Sequence, residues 1–353
     1  MKLCMVVPNP MVKGGIASVV NGYRGSELEK RYEITYVESY TDGGKFKKLI
    51  KALKGYGIFA RSLRKNRPDI VHIHSSFGPS FYRKIPFMLM AKRKNIQIVN
   101  HIHGADFEAF YDRAKDRKKN LVRKIYMLCD QTIVLSDEWK EKIGRIIPDE
   151  RINVVENYSI IPENIDFNAK RKGTVLFMGE LGTRKGCFDI PDIIADVKDK
   201  YDDVRITMAG AGQVRELEDC FEERGLKDVV SFPGWVRGDD KDKLLRENSI
   251  LLFPSYNEGM PMTVLEAMAY GMCVVTTSVG GIPKLISQGN TGFIENPGDI
   301  DAMVDDILKL LISDDGTSPA ADMGKRAREF VIANYSLERH IEKLSAVYSK
   351  CLC

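Results

Sequence analysis

The segment NEGMPMTVLEAMAYGMCVVTTSVGG, residues 257–281, carries two carboxylates, Glu258 and Glu266, eight positions apart. It follows SILLFPS, which reads as a strand, and a short loop, YNEGM. Pro261 fits the first turn of the helix MTVLEAMAY, where its missing N–H costs nothing, and Gly271 fits the position that ends it. N–H groups near Gly259, Met260 and Met262 then lack intrahelical acceptors and suit an anion or sugar hydroxyls. Glu258, before the helix, can accept from hydroxyls of a sugar ring. Glu266, within it, can accept from both hydroxyls of a ribose. A ligand that satisfies both carries hydroxyls and phosphates together.

Cations for the phosphates stand on a second loop. LFMGELGTRKGCFDI, 176–190, ends a strand at Gly179 and carries Arg184, Lys185 and Gly186 toward the next helix. Two cations on such a loop suit a diphosphate. A third loop, in VVPNPMVKGGIASVVNGY, places Gly14 and Gly15 at a helix start, where backbone N–H groups can approach an anion closely.

Four of the five histidines form two H-x-H pairs, in DIVHIHSS and IVNHIHGADF. Alternation along a strand puts His72 and His74 on one face, and His101 and His103 likewise. A metal site would need further ligands, and only His340 remains, far off in sequence, so no metal is expected. His72 and His101 read as buried strand residues. His103, ahead of Gly104 and Asp106 where the strand should end, is the histidine placed to face a ligand. MAGAGQVRE offers Gly210 and Gly212, but Arg215 stands where a dinucleotide fingerprint wants glycine, which argues against an NAD-type oxidoreductase. Asp240-Lys-Asp242 reads as a solvated turn.

The elements that must position these loops alternate in type. KLCMVV, YEITYVES, DIVHIH, IQIVNHIH, QTIVLS and INVVEN read as strands in the first half; GTVLFMG, VRITMAG, VVSFPG, SILLFPS and CVVTTS follow in the second. Stretches long enough for helices separate them. This is the pattern of an α/β chain with parallel sheets, and it occurs twice. Proline, asparagine and charge cluster in SIIPENIDFNAKRKGTV, so the domains are set at 1–165 and 166–335. Ligands of doubly wound sheets sit beyond the strand C-terminal ends, so a cleft between two such domains is the expected site.

The bulk properties bound the partners. At 353 residues, 44% hydrophobic and 29% charged, the chain is ordinary for a globular protein of two domains. Seven cysteines without a C-x-x-C pair suit reduced thiols and a cytoplasmic setting. MKLCMVVPNP reads as a first strand and not a signal peptide, and no apolar run reaches the ~18 residues of a membrane span. The net charge of +4 hides an asymmetry: residues 1–165 hold 30 basic and 18 acidic side chains, and the remainder is net acidic. The basic charge gathers in KFKKLIKALKGYGIFARSLRK, 45–65, and FYRKIPFMLMAKRKN, 81–95, where apolar residues are bracketed by cations as in an interfacial helix. An anionic membrane face is therefore the expected partner. Nucleic acid is not, since no recognition module accompanies the charge. RAKDRKKNLVRK, 113–124, reads as a solvated helix face.

The Glu258-x7-Glu266 block within EGMPMTVLEAMAYGMCVVTTSVGGIP resembles the signature of retaining GT-B glycosyltransferases of family 4. The Gly14–Gly15 loop, NHIHGADF and the RKG loop occur in family order, so the resemblance covers nearly the whole chain. It implies two Rossmann-like domains facing across a cleft, with a C-terminal helix, here about 336–353, packing back on the first. It implies transfer of a hexosyl group from a nucleotide-diphosphate sugar, with UDP as the default nucleotide, to a glycan or lipid-linked saccharide. Such an enzyme works with retention and without metal or other cofactor, in surface polysaccharide assembly at the inner face of the cell membrane. By position, Glu258 would hold the donor sugar, Glu266 the ribose, and Arg184 and Lys185 the diphosphate, with His103 facing the sugar near the reacting carbon. Two positions depart from the family pattern: Glu180 stands where arginine is usual, and Lys284 where glutamate often follows GGIP. A nucleotide-sugar 2-epimerase on the same scaffold and a non-catalytic nucleotide-sugar binding protein are the alternatives.

Overall fold

The computed structural model describes residues 1–104, 107–312 and 319–352; Ala105 and Asp106 of the second histidine motif, and Cys353, lie outside the described residues. The chain folds as two compact units, one of Met1–Tyr158 with the chain from Leu337 onward, the other of Ser159–Ser336. The division falls at Tyr158/Ser159 rather than at 165/166. Segment 159–165 belongs to the second unit because the Ser159 N–H donates to the Tyr335 carbonyl at 2.8 Å and Arg328 Nη2 donates to the Pro162 carbonyl at 2.7 Å.

The first unit holds strands β1 (Lys2–Pro8), β2 (Glu33–Tyr40), β3 (Ile70–Ser75), β4 (Gln97–Ile102), β5 (Gln131–Val134) and β6 (Ile152–Val154). They form one parallel sheet in the order β2-β1-β3-β4-β5-β6. Helices α1 (Gly15–Tyr23), α2 (Glu27–Arg31), α3 (Lys45–Lys65), α4 (Pro79–Lys92), α5 (Asp116–Tyr126) and α6 (Asp137–Gly144) make its crossovers. The inner strands read as nearly continuous apolar runs because both their faces are covered. Every residue of β3 is buried, its two histidines included. Phe59, Phe81, Phe87, Phe107 and Trp139 fill the core on one side; each fully buried phenylalanine contributes about 1.5–3 kcal/mol relative to exposure.

The second unit repeats the plan. Its strands are β7 (Arg171–Leu181), β8 (Arg205–Gly212), β9 (Val230–Ser231), β10 (Asn248–Phe253), β11 (Cys273–Thr277) and β12 (Phe293–Glu295). They lie parallel in the order β12-β11-β10-β7-β8-β9. Counted from the far edge this is the 3-2-1-4-5-6 order of a dinucleotide-binding sheet, whose connections reverse between the first and fourth strands. Helices α7 (Ile190–Lys200), α8 (Val214–Glu223), α9 (Asp239–Glu247), α10 (Met262–Ala269), α11 (Ile300–Leu311) and α12 (Pro319–Asn334) complete it. The last helix, α13 (Leu337–Lys350), belongs to the first unit.

Several local expectations needed correction. β12 carries no apolar run long enough to be read as a strand, and VVSFPG contributes only two strand residues. Asp240 and Asp242 lie in the first turn of α9, where acidic residues complement the helix dipole, and not in a turn. The Gly210–Gly212 pair has a packing reason. A Cβ on Gly210 would stand 1.9 Å from the Gly179 carbonyl oxygen, and one on Gly212 2.1 Å from that of Leu181, across the β7–β8 pairing. The two basic segments also separate. Phe46, Leu49, Ile50 and Leu53 of α3 are exposed, whereas Phe81 and Phe87 of α4 are core residues and Lys84 is buried. Of these two segments, only α3 keeps that set of apolar residues exposed.

Candidate active site

In the second unit the connections reverse between β7 and β10, and ligands of such sheets bind beyond the strand ends at that point. Both loops named from the sequence leave from it. After β7, residues Thr183–Lys185 make one tight helical turn, closed by Gly186 at φ +67°. Only glycine fits there, because a Cβ would lie 1.9 Å from the Pro254 carbonyl oxygen. After β10, the loop before α10 is fastened on two sides. The Tyr256 N–H donates to the Arg184 carbonyl at 3.0 Å, Arg184 Nη1 donates to the Asn257 carbonyl at 2.9 Å, and the Gly281 N–H donates to the Gly259 carbonyl at 2.7 Å. Gly280, at φ +58°, lies so close beneath the loop that a Cβ would come within 2.2 Å of the Glu258 carbonyl oxygen.

This clamp brings the predicted acid and cations together. Glu258 is buried, and its Oε1 accepts from Lys185 Nζ and from Ser255 Oγ at 2.7 Å, with Arg184 Nη1 3.9 Å away. Lys185 also lies 4.8 Å from the centre of the Phe253 ring, so its charge is held from two sides. Arg184 is more exposed and donates to Glu180 at 3.0 Å. α10 starts at Met262, as the sequence suggests, with Pro261 as its N-cap rather than within its first turn. The first intrahelical bond of α10 is donated by Leu265, so the N–H groups of Met262, Thr263 and Val264 have no acceptor within the helix. Glu266, one turn on, accepts from Lys241 Nζ of α9 at 2.6 Å. Asp242, next on α9, accepts from Arg246 at 2.7 Å and from the Tyr270 hydroxyl at 2.6 Å, which hold its carboxylate below the usual range.

The first unit gathers all five histidines in one place. His72 Nε2 and His101 Nδ1 are 3.3 Å apart with rings 9° from parallel; His74 Nδ1 and His103 Nε2 are 2.9 Å apart at 19°. The two hydrogen-bonded pairs lie on one another, His72 over His74 at 4.3 Å and His101 over His103 at 4.0 Å between ring centres. α13 brings His340 to 6.5 Å from His101, fixed by the Tyr23 hydroxyl and the Glu156 carbonyl, each at 2.7 Å. His340 is thus a neighbour and not remote, because the last helix returns to this sheet. Burial, reinforced by mutual repulsion, pushes the imidazoles below their ordinary value: His72 to about 3, His340 to about 4, and His74 and His101 well below. His103, half-buried, moves the same way from the same cause. One nitrogen each of His72, His74 and His101 lie within 4.8 Å of one another. Imidazole lone pairs lie in the ring plane, however, and those of stacked rings run side by side. As folded, the group is a hydrogen-bonded stack and not a converging coordination shell. His103 follows the end of β4, and Gly104 after it passes so near Ser76 and Phe77 that a Cβ would sit 2.2 Å from Ser76 Oγ.

Known proteins share this organisation. The family described as "Glycosyl transferases group 1" matches residues 161–330, and "Glycosyltransferase Family 4" matches residues 17–158. The chain belongs to the family 4 glycosyltransferases. It is 23% identical over 291 residues to 2-deoxystreptamine N-acetyl-D-glucosaminyltransferase of Niallia circulans, covering 77% of this chain and 74% of that one. It is 26% identical over 267 residues to the amylovoran biosynthesis glycosyltransferase AmsK of Erwinia amylovora, covering 72% and 64%. The solved structure of Anabaena Alr3699/HepE in complex with UDP superposes with a TM-score of 0.76 at 16% identity, covering 99% of this chain and all of that one.

Within this GT-B glycosyltransferase, the structure brings Arg184, Lys185, Glu258 and the start of α10 to one strand-end site, with Glu266 one turn along the helix. Gly14, at φ +135°, caps α1 beyond β1, and neither it nor Gly15 has anything within 4 Å of an added Cβ. Sequence reasoning missed Ser255 and Lys241. Ser255 follows β10 three residues before Glu258 and could have been found as a hydroxyl in the same loop. Lys241 had no local signal, since it lies in a different helix 25 positions from Glu266. Among the described residues, no helix is long and apolar enough to cross a membrane.

Proposed function

We propose that this glycosyltransferase moves a hexosyl group from a UDP-sugar to a saccharide or lipid-linked saccharide acceptor with retention of anomeric configuration. The observation that carries the reading is the clamped strand-end site of the second unit. There a buried acid, two cations and the free N–H groups of a helix start share one switch point. The first-turn N–H groups and Arg184 receive the diphosphate, and Glu266 receives the ribose hydroxyls. Glu258, held by Lys185 and Ser255, accepts from the donor sugar. His103 addresses the sugar. As the bond to the sugar breaks, charge grows on the leaving diphosphate, and the fixed donors stabilise it where it develops. The diphosphate can itself take the acceptor's proton, so the scheme requires no second carboxylate and no metal. UDP is favoured because a structure of the same fold holds it, and a surface polysaccharide role is favoured by the amylovoran relative.

The test is a donor screen. Purified protein is incubated with UDP-, GDP- and ADP-sugars and a panel of saccharide acceptors, with free nucleotide as readout and the product anomer assigned by NMR. Nucleotide release that depends on acceptor, gives the same anomer as the donor and persists in EDTA is expected. An inverted product, or activity restored to an EDTA-treated sample only by a divalent ion, would refute the mechanism. A changed sugar still attached to its nucleotide would mark an epimerase.

The acceptor side is favoured to meet an anionic membrane, through α3. Phe46, Leu49, Ile50 and Leu53 lie at i, i+3, i+4 and i+7, one helix stripe, and Phe46 is 76% exposed and Leu53 58%. Lys45, Lys47, Lys48 and Lys54 stand among them, while Lys51 is engaged by Glu38. The opposite face, Ala52, Gly55 and Phe59, is buried. An apolar stripe flanked by cations on an inner-leaflet surface gains about 1 kcal/mol per well-placed charge. Co-sedimentation with liposomes should rise with anionic lipid and be lost on changing Lys45, Lys47, Lys48, Lys54 and Phe46 together; binding indifferent to lipid charge would defeat it.

A further inference from the structure

His103 does not stand alone. Its Nε2 faces Nδ1 of His74 at 2.9 Å, and His74 is 1% exposed. The other nitrogen of His74, Nε2, is buried without a hydrogen-bond partner among the described residues. A neutral imidazole carries one N–H and one bare nitrogen. If the proton of His74 sat on Nε2, an N–H donor would be buried with nothing to receive it, a rare and costly state. With the proton on Nδ1, the donor is used toward His103 and only a lone pair is left bare. His103 Nε2 is then an acceptor, which places the proton of a neutral His103 on Nδ1.

We propose that His74 is a positioning residue that fixes the tautomer of His103, so that His103 presents an N–H donor at Nδ1 to a sugar oxygen and has no free base at Nε2. The inference rests on His103 addressing the sugar. The surroundings favour it: burial, reinforced by the neighbouring imidazoles, pushes both rings below their ordinary value and so keeps the pair neutral, and Tyr23 packs 6.0 Å from the His74 ring. The stacked His101 ring, 4.0 Å from that of His103, stops it from turning over.

Two measurements test it. In the intact protein labelled with 15N-histidine, long-range imidazole correlations report the protonated nitrogen of each ring, with assignment by single substitution. His103 protonated at Nδ1 is expected; protonation at Nε2 overturns the proposal whatever the activity. In steady-state kinetics, His74→Leu should lower kcat roughly tenfold or more, as displaced reacting groups do, with KM for the donor little changed. His74→Asn, whose amide N–H can stand in for Nδ1–H, should recover most of it. Full turnover in His74→Leu alongside an inactive His103→Ala overturns the positioning role and leaves the transferase reading intact. Full turnover in both removes His103 from the site, and this inference with it.

Discussion

Acidification should unfold the first unit well before the second. All five histidines of the chain are in the first unit and none in the second. In the folded state burial holds them neutral, so their proton affinity rises on unfolding. A base whose folded value is depressed makes the unfolded state bind more protons. Stability is then complete above the unfolded value of about 6.5 and is lost as pH falls below it. His72, His74, His101 and His340 are the fully buried four, with His72 held to about 3 and His340 to about 4. At pH 5.5 each takes up about nine-tenths of a proton on unfolding, so the four give a slope of about 5 kcal/mol per pH unit. Between pH 7 and 5.5 the loss integrates to about 5 kcal/mol, as large as the whole stability of a marginal domain. Among carboxylates of this unit with a shifted value, Glu38 is held low by Lys51 and Asn9 against its own burial, so it does not oppose the effect in that window.

The two tryptophans make the assay. Trp139 is buried in the first unit, and Trp235 lies in the second. Trp235→Phe leaves fluorescence that reports the first unit alone, and Trp139→Phe reports the second. Urea midpoints are measured at half-unit steps from pH 7.5 to 5.5. The first unit's midpoint should fall steeply below pH 6.5 while the second's holds. Midpoints that move in parallel, or a first unit indifferent to pH down to 5.5, would refute the reasoning.

Glu266→Ala should weaken binding of free UDP by about 1.5–3 kcal/mol, the range of charged hydrogen bonds, by calorimetry; unchanged affinity would remove it from the ribose site. Glu258→Gln should cut kcat about tenfold or more while leaving UDP affinity in place, since it addresses the sugar and its amide can still bond Ser255. Gly186→Ala should lower the second unit's stability by at least about 1 kcal/mol, because the left-handed backbone and the Pro254 carbonyl at 1.9 Å both oppose a Cβ; an unchanged melting temperature would show that the turn relaxes freely.

Features carried by local pattern were legible. The inner strands declared themselves by apolar runs, and the E-x7-E block by a strand, a loop and a proline before a helix. The RKG turn was equally plain, although the glycine's reason, contact with Pro254, was not. What depended on distant chain was hidden. Nothing near His72 or His101 announces that α13 will bring His340 and Tyr348 to them. The segment 81–95 misled because a crossover helix and an interfacial helix share one composition; only the burial of Phe81 and Phe87 separates them. α3 shares that composition but keeps Phe46, Leu49, Ile50 and Leu53 exposed, since Gly55 allows its far half to press on β2 and leaves the near half uncovered.

The cations of the strand-end site, read from sequence as one pair, divide their work. Lys185 and Glu258 are both largely buried, so parting them would strand a charge and cost several kcal/mol. Lys185 is therefore committed to holding the acid in place. The Arg184–Glu180 pair is exposed, and exposed pairs contribute only about 0.2–1 kcal/mol. On the proposed reading, a diphosphate would draw Arg184 away from Glu180 at that small cost. Glu180 thus holds Arg184 beside the loop that carries Glu258. Counted together, Arg184, Lys185, Glu180 and Glu258 cancel. The lasting positive pole of the site is then the start of α10, worth about half an elementary charge. This accounts for the effort spent on fixing that helix start, with Gly280 and Gly281 packed beneath its loop and Arg184 bonded to the Asn257 carbonyl.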